Sequence, residues 1–229
     1  MENVTKSWKS AVSAGGLALG LMAPVSVAVA DSDSLVVPPQ SVAFGNKYSE
    51  WAAEWGQSMF SIPASENPIT DDTGSKCVIG QRGPVWFLAG NFGGTTKRSC
   101  SIPEHKALFF PVINFADINI ASQTAQELRA EIAPCIDGVT TLSVAVDFDY
   151  VERLREKFFV RSKVFDVTFP EGGFLPAGTY SPAIDDGYYV MLKPLALGTH
   201  TVRIVGASPI CGISLDVTYN LTIVPVSLK

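Results

Sequence analysis

Three stretches near the C-terminus decide the fold: Gly187-Tyr188-Tyr189-Val190-Met191-Leu192, Thr199-His200-Thr201-Val202-Arg203-Ile204-Val205, and Ile213-Ser214-Leu215-Asp216-Val217-Thr218-Tyr219-Asn220-Leu221-Thr222-Ile223-Val224. Each is rich in β-branched and aromatic residues, and the last two alternate apolar with polar side chains. That period of two belongs to strands with one buried face. Turn chemistry separates them, at Leu197-Gly198 and Ser208-Pro209. Upstream, residues 139–146, 158–160 and 164–169 read the same way. Gly172-Gly173, Pro176-Ala177-Gly178 and Asp185-Asp186-Gly187 read as turns.

Further upstream, Val85-Trp86-Phe87-Leu88-Ala89 is a continuous apolar run bounded by Gly83-Pro84 and Gly90. It suits a strand buried on both faces. Residues 77–79, 95–102 and 107–113 supply further strand candidates. Short strands with Gly/Pro turns and no βαβ alternation predict a mainly β fold, an antiparallel β-sandwich of jelly-roll or Ig-like type.

Two segments have helical spacing. Tyr48, Trp51, Trp55 and Met59 recur every three or four residues, so residues 47–59 form a helix with one apolar face, weakened by Gly56. Residues 122–133 form the second, with Thr124-Ala125-Gln126-Glu127 in capping-box form and Pro134 as its stop. The sequence thus predicts a sandwich with two short helices.

The chain has 229 residues, 47% apolar and 17% charged, with formal net charge −5. It holds enough apolar residues for a packed core and has no basic stripe for nucleic acid. Residues 1–30 read as a signal peptide: Lys6 and Lys9, an uncharged apolar run over 11–23, then Ala28-Val29-Ala30 as the cleavage site. No other segment resembles a membrane span. Residues 31–229 are then one exported domain, periplasmic or extracellular.

All four cysteines, Cys77, Cys100, Cys135 and Cys211, lie after the leader. An even count in an exported chain points to two disulfides, with three possible connectivities. Cys77–Cys100 with Cys135–Cys211 is favoured, because the first pair brackets two candidate strands. There is no Cys-x-x-Cys, and Cys100 and His105 form the only Cys–His neighbourhood, so zinc is disfavoured.

Several segments together resemble an uncharacterised family of exported bacterial proteins. They are Trp51-x3-Trp55, Asn67-Pro68, Asp72-Thr73-Gly74, the run from Gln81-Arg82-Gly83-Pro84 through Gly90, Lys106-Ala107-Leu108-Phe109-Phe110-Pro111, and Gly198-x-His200-Thr201-Val202. The resemblance implies export and a mainly β domain. It carries no established activity, substrate or site residue.

Chemistry therefore has to be read from the side chains. Glu50 and Glu54 share a helix face beside Trp51 and Trp55. Paired carboxylates with flat rings are what a sugar site uses, for acid–base work and for stacking. Tyr48, Trp51, Trp55, Trp86 and His200 are the ligand-facing candidates. Glu50, Glu54, Asp71 and Asp72 are the catalytic ones. Asp72-Thr73-Gly74 is similar to the aspartic-protease loop, but only one copy is present and no apolar strand leads into it, so it reads as a turn. Asp71/Asp72, Asp147/Asp149 and Asp185/Asp186 are acidic pairs, and calcium is the one cofactor they could take. No hydrolase elbow, zinc-protease helix or phosphate loop is present. The expected function is a binding or structural module that recognises a carbohydrate or cell-envelope component. The alternative is a carbohydrate-active hydrolase or lyase.

Overall fold

The computed structural model describes residues 35–226. The leader expected over residues 1–30 lies outside the described residues. Two five-stranded sheets form a sandwich-like, mainly β body, with a small two-stranded piece, β1 (Val42–Ala43) and β2 (Asn46–Lys47), leading into helix α1 (Tyr48–Phe60).

The first sheet contains β3 (Val85–Phe87), β5 (Ala107–Ile118), β10 (Gly178–Leu192) and β8 (Phe159–Val160), in that order, with β9 (Phe165–Phe169) also paired to β10. The second runs β4 (Gly94–Pro103), β12 (Ile213–Val224), β11 (Gly198–Ser208), β6 (Thr141–Val146), β7 (Asp149–Tyr150). The expectation of a purely antiparallel sandwich is corrected: β3 pairs with β5, and β4 with β12, in parallel. Each parallel pair joins elements whose connection crosses to the opposite sheet. β3 runs through a loop to β4, and β4 returns by a turn to β5.

The core between the sheets is built from one face of each strand. Leu108, Phe110, Val190 and Leu192 meet Val144, Val202, Ile204, Val217 and Leu221. The outer face of the first sheet is covered by α1. Its Trp51, Trp55 and Met59 pack on Phe87, Phe109, Tyr189 and Met191. Glu50 starts this helix by accepting the Lys47 N–H at 3.0 Å.

Helix α2 (Ala125–Asp137) opens on the expected box: Glu127 accepts the Thr124 N–H at 2.7 Å, and Thr124 Oγ1 accepts the Glu127 N–H at 3.3 Å. Pro134 does not stop it. The helix runs one turn further, closed by the Gly138 N–H on the Pro134 carbonyl, with Cys135 tied to Cys211. A one-turn helix beyond the two expected, α3 (Leu154–Lys157), lies between β7 and β8. Both disulfides are formed in the favoured pairing, Cys77–Cys100 and Cys135–Cys211. Residues 77–79 form turns, not a strand.

Asp185-Asp186-Gly187 is likewise not a turn but the middle of β10. Opposite it, β5 carries a bulge. Tyr188 faces Ile113 and Tyr189 faces Pro111, so Val112 is an extra residue. The bulge presses the β5 backbone toward the facing sheet. A Cβ on Gly206 of β11 would stand 2.7 Å from the Val112 carbonyl oxygen. Only glycine fits there without a shift.

Candidate functional site

Strand β5 is bordered by β10 along nearly its whole length. On its other edge β3 is its one partner among the described residues, and only at Ala107, Leu108 and Phe109. The Leu88 N–H still reaches the Phe109 carbonyl at 3.1 Å. The chain then leaves through Gly90, Asn91 and Phe92 and crosses to β4. A buried arginine fixes this departure. Arg98 Nη1 donates to the carbonyls of Ala89 (2.8 Å) and Gly90 (3.0 Å) and to the Tyr219 hydroxyl (2.7 Å). Its Nη2 donates to the Ile69 carbonyl at 3.2 Å, and its Nε to that of Asp71. The guanidinium thus answers carbonyls that no strand satisfies.

The departure of β3 opens a cleft of about 640 Å³. All eight residues from 111 to 118 line it. A strand that offers a face to a cavity contributes every second residue. Eight in a row mean that the cleft lies along the edge of β5. One wall is aromatic: Phe60 packs on Phe169 (ring centroids 5.7 Å apart), and Phe174 on Phe92 (5.3 Å). The other wall is Ile132 and Cys135 of α2 with Ile213 and Leu215 of β12. At the rim, Phe92 is 63% and Ile120 70% exposed, large apolar surfaces left in water. The ionisable side chains lining the cleft are Asp117 and Glu131. No lysine, arginine or histidine is among the described residues that line it.

The α2 wall is held by charge. Arg129 donates to Asp186 Oδ2 at 3.0 Å and to the Ser162 carbonyl at 2.7 Å, and Asp186 Oδ1 accepts the Ser162 N–H at 2.9 Å. Beneath the cleft, Asn114 donates to Asp185 Oδ1 at 2.8 Å. Asp185 is fully buried, and burial pushes its carboxyl up to about 7 despite the Asn114 hydrogen bond. Its Oδ2 and the Tyr189 hydroxyl are buried and have no partner of normal hydrogen-bond geometry among the described residues. Gly56 of α1 makes room here: a Cβ would stand 2.9 Å from the Phe165 ring and 3.2 Å from Asp185 Oδ2. Asp185 therefore positions Asn114 from below and does not itself reach the cleft surface.

The residues singled out from sequence are placed elsewhere, except Trp55, which also touches the cleft. Tyr48 pins the N-terminal segment to β10: its hydroxyl donates to the Val37 carbonyl (2.6 Å) and accepts the Met191 N–H (3.0 Å). Trp51 and Trp55 are 6% and 2% exposed, and their indole N–H groups donate to the Ala43 and Leu88 carbonyls. Trp86 lies between the sheets. None of these rings lies flat at the surface for a sugar to stack on.

Glu50 caps α1. Its carboxyl lies below the usual range, chiefly through the Lys47 amide hydrogen bond. Glu54 accepts from Asn46 and, with Trp51 and Arg82, borders a separate hollow of about 420 Å³ that Glu50 does not line. The two carboxylates are thus not brought to one site.

Asp71 organises its loop. Burial raises its carboxyl, but the Lys76 and Thr73 amides outweigh that and leave it below the usual range. Asp72 points to solvent. His200 Nδ1 meets Asp147 Oδ2 at 2.6 Å and its Nε2 meets the Ala196 carbonyl at 2.9 Å, a local tie between β11 and its neighbouring loops. His105 is exposed beside Glu104. Among the described residues no group of three or more His, Cys, Asp or Glu is placed to hold a metal ion. Nor is any helix there long and apolar enough to cross a membrane.

The cleft residues were not found by motif. Phe92 and Phe174 sit in Gly-rich turns, where an aromatic ring is a weak signal in a sequence but a wall in the fold. No protein-family model, curated protein or solved structure matches the chain.

Proposed function

We propose that the protein is an exported binding module that takes an extended, apolar envelope component in the cleft along β5. The carrying observation is the run of residues 111–118, a strand edge with no strand partner among the described residues, between two apolar walls with exposed Phe92 and Ile120 at the mouth. Apolar surface that a monomer leaves in water marks a place where something binds. The two disulfides suit an oxidising compartment outside the cytoplasm. The engaged or outward placement of Glu50, Glu54, Asp71 and Asp72 favours binding over hydrolysis.

The test is a titration of the disulfide-intact protein with the neutral fluorescent dye N-phenyl-1-naphthylamine. Saturable enhancement is expected, weakened about tenfold in Phe92→Asp, where a charge at an exposed rim position costs the fold little. Equal enhancement in both proteins would place the dye elsewhere and remove the cleft from the account.

A further inference from the structure

We infer that the occupant of the cleft is a polypeptide strand that adds to the open edge of β5, antiparallel to it, with a cationic N-terminal end beside Asp117 and Glu131. This rests on the cleft being the binding site.

The direction of the main-chain groups carries the first step. On β10, the Tyr189 N–H goes to the Phe158 carbonyl and the Asp185 N–H to Ser162 Oγ, both away from β5. The pairs Tyr189/Pro111 and Asp185/Ala116 are therefore the non-hydrogen-bonded pairs of the β5–β10 ladder, and so is Gly187/Asn114 between them. In such a pair the partner's N–H and C=O also point outward. Asn114 and Ala116 thus turn their main-chain groups into the cleft. Pro111, the outward residue nearest the bulge, has no N–H to leave unpaired, as suits an edge strand. The outward N–H of Ile118 is answered by Asp117 Oδ1 at 2.8 Å.

The second step is chemical. A ligand that fills an apolar-walled cleft strips water from these outward groups. An acyl chain or a sterol would leave them without partners, a loss of desolvated polar groups. A strand replaces the lost hydrogen bonds and sends its side chains alternately to the two walls, Phe92 and Phe174 on one side and Ile132 and Ile213 on the other. The edge is recessed between those walls, which keeps whole sheets from docking edge to edge and admits a single strand.

The third step is charge. Asp117 and Glu131 sit toward the end of the cleft where β5 finishes. Burial, with Glu131 nearby, holds the Asp117 carboxyl above its usual range. An antiparallel strand brings its N-terminus to this end, and an ammonium group there would relieve both carboxylates.

The probe is the octapeptide Lys-Val-Thr-Val-Thr-Val-Thr-Val with fluorescein at its C-terminus, followed by anisotropy. A second peptide has the same side chains and alternate N-methylated amides, which cannot donate to a neighbouring strand. Saturable binding of the first peptide is expected. It should weaken at least tenfold for the N-methylated form on the wild-type protein, and likewise for the first peptide on Ala116→Pro. Ala116→Pro removes an outward N–H while sparing the β10 ladder, so its urea midpoint should stay close to that of the wild type. Charge reversal by Asp117→Lys with Glu131→Lys should weaken the peptide, and by more at low salt than at high salt. Equal binding of the N-methylated peptide overturns strand addition. Dye binding without any peptide binding overturns it too, and leaves the apolar cleft standing. Failure of both dye and peptide removes the cleft reading itself.

Discussion

The Asn114 amide donates to Asp185 Oδ1 at 2.8 Å across the β5–β10 ladder, joining the strand that lines the cleft to a carboxyl sealed beneath α1. Asp185 is one of two adjacent aspartates with opposite fates. Asp186, one residue on, turns to the other side of β10 and is answered by Arg129 and Ser162. One neighbour is an ion pair, and the other is a carboxyl that burial pushes toward its neutral form.

That difference predicts a pH dependence. The folded chain holds the Asp185 proton up to about pH 7, while an exposed aspartate releases it near the ordinary 3.8. The folded state binds the extra proton in this window. The contribution is therefore full below pH 4 and is lost as pH rises through 7. Asp185→Asn keeps a neutral side chain of the same size. In urea melts between pH 5 and 8, the wild-type midpoint should fall relative to that of Asp185→Asn. Parallel curves would mean that Asp185 titrates normally.

Arg98 predicts a coupling between stability and the site. Its guanidinium answers the Ile69, Ala89 and Gly90 carbonyls where β3 departs from β5. Arg98→Met takes the donor from the Ile69 and Gly90 carbonyls and leaves Ala89 only the Tyr219 hydroxyl at 2.8 Å, at a cost of about 3 kcal/mol or more. Urea denaturation measures the loss, and the dye affinity should fall with it, because Ile69 and Gly90 line the cleft.

The Cys135–Cys211 bridge spans 76 residues and ties α2 to the turn before β12. Replacing both cysteines by serine should cost roughly 4 kcal/mol by loop-closure entropy. The effect should reach the cleft, since Cys135 and Ile132 are part of its wall. Thermal melts and dye titration of the double variant check both.

Gly206→Ala tests the bulge. The added methyl meets the Val112 carbonyl oxygen at 2.7 Å and Ile113 Cβ at 2.9 Å, both in β5. The backbone of one sheet must move, at about 1–3 kcal/mol. A neutral result in denaturant melts would show that the sheets are not in close contact there.

Much of the fold was legible because packing followed simple periods. The alternation over residues 199–205 and 213–224 became β11 and β12, and the Tyr48, Trp51, Trp55, Met59 stripe became the buried face of α1. The misreadings share a cause: local residue preference was overruled by a distant partner. Asp185-Asp186-Gly187 has turn composition, yet Asn114, Arg129 and Ser162 hydrogen-bond to its aspartates inside a strand. Pro134 is a helix stop by itself, but the disulfide at Cys135 holds one more turn. The site was hidden for a related reason. Residues 107–113 read as a strand that ended at Ile113, because the bulge at Val112 shifts the alternation and Asn114 and Asp117 are poor strand formers. The continuation to Ile118, whose bare edge lines the cleft, therefore carried no periodic signal. The aromatic helix drew attention as a sugar site, but its rings were spent on the core.

The measurement that tests the cleft most directly is isoleucine methyl NMR of the intact protein, with N-phenyl-1-naphthylamine added stepwise. Ile69, Ile113, Ile118, Ile120, Ile132 and Ile213 line the cleft, while Ile102, Ile204 and Ile223 lie in the core between the sheets. Saturable shifts are expected at the first group and still signals at the second. Shifts confined to other isoleucines, or no shifts at saturating dye, would contradict binding in the cleft.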